Sequence, residues 1–154
     1  MKNLICAIVA LMTATIWSEA SNAADFQRGL DAYRSKNFAT ALIELRPLAE
    51  QGVAKAQSVL GLMYGEGAGV RQDDVKSVKW HGLAAEQGLA YSQSVLGWSY
   101  LHGKGIRKDE AAAAKWLRLA AEQKNAFAQN LLGYLLANGV GVQKELVEAA
   151  KLFR

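Results

Sequence analysis

The 154-residue sequence predicts an all-α protein, a solenoid of stacked helix pairs. Three observations carry that prediction. The first is an internal repeat. AEQGVAKAQSVLGLMYGEGAGV (Ala49 to Val70) returns as AEQGLAYSQSVLGWSYLHGKGI (Ala85 to Ile106) and as AEQKNAFAQNLLGYLLANGVGV (Ala121 to Val142). Gly61, Gly97 and Gly133 align at steps of 36 residues, as do Leu60, Leu96 and Leu132. A helix pair of this size cannot bury both faces alone, so stacking of neighbours makes the core. The second is apolar spacing of 3–4 residues inside each copy, the period of a helix with one buried face. The third is a glycine-rich stretch at the same point of each copy, which breaks the helix there.

The N-terminus reads as a leader. Met1-Lys2-Asn3 is a short positive start, Leu4 to Trp17 is an apolar run, and Ser18 to Ala24 is small and polar. The run is short for a membrane span and matches an export signal over residues 1–23. Ser21 and Ala23 place small residues before a cut between Ala23 and Ala24, and a cut after Ala24 fits nearly as well. The expected location is therefore periplasmic or secreted, without stable membrane insertion after cleavage. The single cysteine, Cys6, lies inside the apolar run and leaves with it. The remaining chain is then expected to hold no disulfide, thiol nucleophile or cysteine metal site.

Residues 24–52 read as a divergent first helix pair. Phe26, Leu30 and Tyr33 keep helical spacing, Arg34 to Asn37 interrupt it, and Phe38, Ala41, Leu42 and Leu45 resume it. Pro47 falls within that second helix and predicts a kink near Arg46. Gly52 suits the left-handed position that ends a helix. Residues 53–88 form the first full repeat. Its first helix is expected over about Ala54 to Tyr64. Asp73 is the expected cap of its second helix, where a carboxylate accepts from unpaired amides. Gly82 inside that helix costs roughly 1 kcal/mol against alanine.

Residues 89–124 form the second repeat, with Asp109 at the cap. Lys124 stands where the first copy has Gly88, and Asn125 is expected to help the left-handed turn. Residues 125–154 form a third copy whose last helix stops short. That stop reads either as a piece of a longer solenoid or as a short capping helix, with self-association through that helix as one consequence.

Two full copies share the pattern Ala56-x-x-x-Leu60-Gly61-x-x-Tyr64, Gly67-x-Gly69-Val70, Asp73, Lys79-Trp80 and Ala84-Ala85-Glu86-Gln87-Gly88. In the second these become Leu96-Gly97-x-x-Tyr100, Gly103-x-Gly105-Ile106, Asp109, Lys115-Trp116 and Ala120-Ala121-Glu122-Gln123. The third copy departs at Leu136, Glu145 and Leu152. This pattern resembles the Sel-one-like repeat (SLR), a relative of the tetratricopeptide repeat with a longer inner loop. The resemblance implies a right-handed α-α superhelix, an exported bacterial member, and a concave groove lined by the first helix of each pair.

Chemistry-bearing residues are few. The net charge is +4, and Lys and Arg are mixed with acids, so no nucleic-acid surface is indicated. Removing Lys2 and Glu19 with the leader leaves that value unchanged. His81 follows Trp80 on a helix and reads as a partly buried or surface residue. His102 reads as part of a glycine loop beside Lys104, Arg107 and Lys108, basic residues that suit a solvated loop or an acidic partner. The two have no metal-ligand spacing, and Gly103-Lys104-Gly105 lacks the phosphate-loop pattern. No catalytic residue, metal or cofactor is expected.

Positions that vary between copies are the candidates for recognition. They are Lys55, Tyr91 and Phe127, five before the aligned leucine; Ser58, Ser94 and Asn130, two before it; and Leu62, Trp98 and Tyr134, two after it. Tyr91, Ser94 and Trp98 share one helix face. By the resemblance, that face would hold a protein or peptide, with the aromatics as anchors. The expected function is a non-enzymatic interaction scaffold of the bacterial envelope, with a possible regulatory role. Binding of cell-wall glycan is an alternative. β-Lactam binding or hydrolysis, linked to a cysteine-rich branch, is a weaker one, because the cysteine pairs of that branch are missing.

Overall fold

The computed structural model describes residues 21–153, which fold into eight helices and no strand. They are α1 (21–34), α2 (Phe38–Glu50), α3 (Ala54–Glu66), α4 (Asp74–Glu86), α5 (Ala90–His102), α6 (Glu110–Glu122), α7 (Ala126–Asn138) and α8 (Leu146–Leu152). The apolar run of the expected leader lies outside the described residues, and the expected cut between Ala23 and Ala24 falls in the described part of α1. Among the described residues no helix is long and apolar enough to cross a membrane.

Each helix from α2 onward packs on the next, and α5 also touches α7. That is the contact pattern of a quasi-linear array, in which a repeat meets only its neighbours. The core forms in two clusters. One gathers Leu45, Leu48, Leu60 and Met63, with Phe26, Leu30, Tyr33 and Trp80 against it. The other gathers Leu117, Leu132, Leu135 and Leu136, with Leu152 against it. The paired alanines Ala84-Ala85 and Ala120-Ala121 are all buried, which lets successive helices approach closely.

Local chemistry sets the ends of these helices. Asp73 and Asp109 cap α4 and α6, accepting from the amides of Lys76 and Ala112 at 2.9 Å. That bond to the Lys76 amide holds the Asp73 carboxyl below its ordinary range. Glu145 stands at the matching position of α8 without a side-chain bond, since its extra methylene places the carboxylate wrongly for a cap. α3, α5 and α7 end on Gly67, Gly103 and Gly139 in the left-handed conformation. α3 thus runs two residues beyond Tyr64, and the glycine stretch stops it only at Gly67. α2 continues through Pro47 to Glu50.

The turn into α7 differs from its sequence reading. Lys124 itself takes the left-handed conformation, with φ of 62°. Asn125 instead caps α7, its side-chain oxygen accepting from the Ala128 amide at 2.9 Å. The lysine bears the strain, and the asparagine satisfies an amide that leucine and valine leave open in the earlier copies.

A glutamine series fastens one pair to the next. Gln57 and Gln93 are buried and donate to the carbonyls of Ala49 and Ala85, at 3.1 and 3.2 Å. Gln129 does the same to Ala121 at 3.4 Å. Gln87 then donates to Gln57 and Gln123 to Gln93, at 2.8 and 2.9 Å. The Gln of the AEQ motif is therefore the partner of a second glutamine 30 residues earlier.

Candidate functional site

The first helices α3, α5 and α7 carry the varying positions, and the structure separates those positions into groups. Tyr91, Trp98 and Phe127 come together. With Ser94, Val95 and Asn125 they line a cleft of about 320 Å³ between α5 and α7, and most of its wall is apolar. Tyr91 and Phe127 are 45% and 51% exposed, unusually open for large rings. Tyr91 touches α4 through the buried His81 ring, edge to face, with ring centres 6.0 Å apart.

A second cleft of about 200 Å³ adjoins the first and shares Tyr91, Val95 and Trp98 with it. Leu62 lines its other side, with Glu66, Asp74 and Lys104 at its rim. This second cleft is walled by α3, α4 and α5, and the two adjoining clefts make a groove that runs over α3, α4, α5 and α7. Lys104 closes on Asp74 at 3.3 Å and lies 5.8 Å from the Trp98 ring centre. His102 is the last residue of α5 rather than part of the loop. Its ring stacks on Trp98 at 4.4 Å and its Nδ1 meets the Trp98 carbonyl at 2.9 Å. The Trp98 ring thus has a histidine stacked on it and a lysine within cation–π distance.

The other varying positions lie elsewhere. Ser58 is buried in the helix packing, and Ser94 is 2% exposed, with its hydroxyl donating to the Tyr91 carbonyl at 2.7 Å. Ser94 shapes the cleft floor rather than offering a free hydroxyl. Lys55 lines a separate recess with Phe26, near the start of α1. Asn130 and Tyr134 are exposed farther along α7, outside the lining of either cleft of the groove.

Sequence reasoning missed Glu66 and misplaced His81. Glu66 ends α3 and accepts from the Tyr33 hydroxyl at 2.7 Å. Burial and that carboxylate push the Tyr33 phenol up to about 12. Burial, and then the Glu66 charge, also raise Tyr91. His81 is not at the surface. It is 1% exposed, its Nδ1 lies 3.2 Å from the Ser92 hydroxyl, and burial pushes its pKa down to about 4. The signal was present in the alignment: His81 and Ser92 are polar where Leu117 and Ala128 stand one copy later.

No group of three or more His, Cys, Asp or Glu side chains suited to a metal occurs among the described residues. What the groove offers is aromatic surface, the Lys104–Asp74 ion pair and the Glu66 carboxylate, all features suited to recognition.

No curated protein matches the chain. Among solved structures, it is similar to a Sel1 repeat protein from Oxalobacter formigenes, at 38% identity and a TM-score of 0.80. That likeness covers 84% of this chain and 53% of the other. It is also similar to a protective antigen present in uropathogenic Escherichia coli strains that displays an SLR fold, at 34% identity and a TM-score of 0.82 over 93% of this chain and 32% of that one. The Helicobacter pylori cysteine rich protein B is similar at 27% identity and a TM-score of 0.54, over 71% of this chain and 84% of that one. The chain thus spans about half and about a third of the first two relatives. The Sel1 repeat itself matches residues 54–89, 90–125 and 126–154. The chain belongs to the Sel1 repeat family, a family of α-helical repeat scaffolds.

Proposed function

We propose that this chain is a non-enzymatic interaction scaffold of the bacterial envelope that holds a protein or peptide in the groove over α3, α4, α5 and α7. The observation that carries the reading is the convergence of Tyr91, Trp98 and Phe127, from two repeats, on one open apolar cleft. Large rings at a concave site lose little conformational freedom on binding and bury much area, which is why they dominate interfaces. That Sel1 repeats commonly mediate protein–protein contacts supports the reading. Export by the N-terminal leader is part of the proposal, and N-terminal sequencing of protein recovered from the periplasm tests it.

The groove is tested by affinity capture from an envelope extract, with wild-type chain beside a Tyr91→Ala/Trp98→Ala variant. A partner retained by the wild type and lost by the folded variant supports the reading. Equal capture by both proteins sinks it. Peptidoglycan sedimentation run in parallel shows whether the same rings serve a glycan instead.

A further inference from the structure

Glu66 is an acid set among aromatic rings, and the described residues give it no cationic partner. Lys76 is paired with Asp73 at 3.2 Å, and Lys104, the one lysine lining this cleft, is paired with Asp74 at 3.3 Å. Its one side-chain bond comes from the neutral Tyr33 hydroxyl. A carboxylate accepts several donors, so this leaves acceptor capacity open. Glu66 also lines the same cleft as Tyr91 and Trp98, where the faces of both rings carry negative potential.

Resting on the groove reading above, we infer that the preferred occupant is a peptide with a Lys or Arg side chain bound at Glu66, adjacent to an apolar or aromatic residue seated against Tyr91, Trp98 and Phe127. Charge complementarity selects the cation, since a basic side chain gains both the carboxylate and the Tyr91 ring that lines the same cleft. An acidic side chain at that point meets the Glu66 charge and loses. The apolar neighbour follows from the continuity of the two clefts, which share Tyr91, Val95 and Trp98.

The test is selection of random peptides displayed on phage against the immobilised full chain, repeated on Glu66→Gln and on Trp98→Ala. Glutamine keeps an acceptor for Tyr33 and removes only the charge, and circular dichroism checks that both variants fold. Wild type is expected to enrich sequences with a basic residue beside an apolar one. Glu66→Gln is expected to lose the basic preference, keep the apolar one, and bind a selected basic peptide roughly tenfold more weakly, the worth of one charge-assisted hydrogen bond. Enrichment that depends on Trp98 but shows no basic preference overturns the inference and leaves the groove standing. Enrichment indifferent to Trp98, or none, overturns both.

Discussion

Gly61 and His81 are a fitted pair: a methyl group on Gly61 would lie 2.8 Å from the His81 ring. The relation recurs in each copy, with Gly97 against Leu117 and Gly133 against Phe153, at 2.7 Å in both. The mid-helix glycine is thus the socket for one large side chain from the second helix of its pair, or, for Phe153, from the residue that ends it. Gly82 has no such role, for a methyl group there meets nothing within 4 Å. Gly61→Ala should therefore destabilise by about 1–3 kcal/mol through overpacking. Gly82→Ala should stabilise by up to about 1 kcal/mol through helix propensity. Urea titration of the two variants is expected to move their midpoints in opposite directions.

His81 makes stability depend on pH. Its folded pKa of about 4 lies below its ordinary value of 6.5, so protons bind the unfolded chain more readily. Its full contribution is present above about pH 6.5 and is lost as pH falls toward 4. The linked loss approaches about 3 kcal/mol over that window. His81→Leu with Ser92→Ala installs the pair that Leu117 and Ala128 form one repeat later. That double variant should unfold with less pH dependence between 6.5 and 4 than wild type. Equal dependence in thermal melts would place the acid sensitivity elsewhere.

The glutamine series predicts unequal costs for similar substitutions. Gln93 is buried, donates to the Ala85 carbonyl and accepts from Gln123. Gln93→Met keeps volume but removes both of these bonds at a buried position, costing about 1–3 kcal/mol. Gln123 is exposed, so water replaces what Gln123→Ala removes there, and the expected loss is under about 1 kcal/mol. Comparable losses for both in denaturant titration would show that the series does not join the repeats.

The repeat architecture was legible because each copy repeats its own punctuation. The aspartate caps and the glycine stretch give helix ends from local chemistry alone, and the period states that pairs must stack. Glu66 was not legible. Its importance arises from Tyr33 in another helix pair and Tyr91 in the following repeat, relations that no local pattern contains. Ser94 and Tyr134 show the same limit from the other side. Helical spacing places each on a face, but only packing decides that Ser94 is buried and that Tyr134 lies beyond the cleft.

Gly103 and Gly105 look alike in sequence, both in the left-handed conformation, with φ of 68° and 72°. Their surroundings differ. A methyl group on Gly103 would come no nearer than 3.3 Å to the Lys108 Cβ and 3.5 Å to the Lys108 amide nitrogen, within its own loop. On Gly105 it would collide with the backbone carbonyl of Asp74, at the start of the preceding repeat's second helix. Gly141 meets the Glu110 backbone in the same way and Gly69 meets the Phe38 Cβ, so this glycine is the contact by which each inner loop docks on the pair before it. Gly103→Ala should cost about 1–2 kcal/mol, the strain of the left-handed conformation alone. Gly105→Ala adds a steric conflict with main chain that has no rotamer to yield, so its cost should exceed that of Gly103→Ala by at least about 1 kcal/mol. Denaturant titration of the two single variants decides the matter, and equal costs would mean that the loop is not docked on α4.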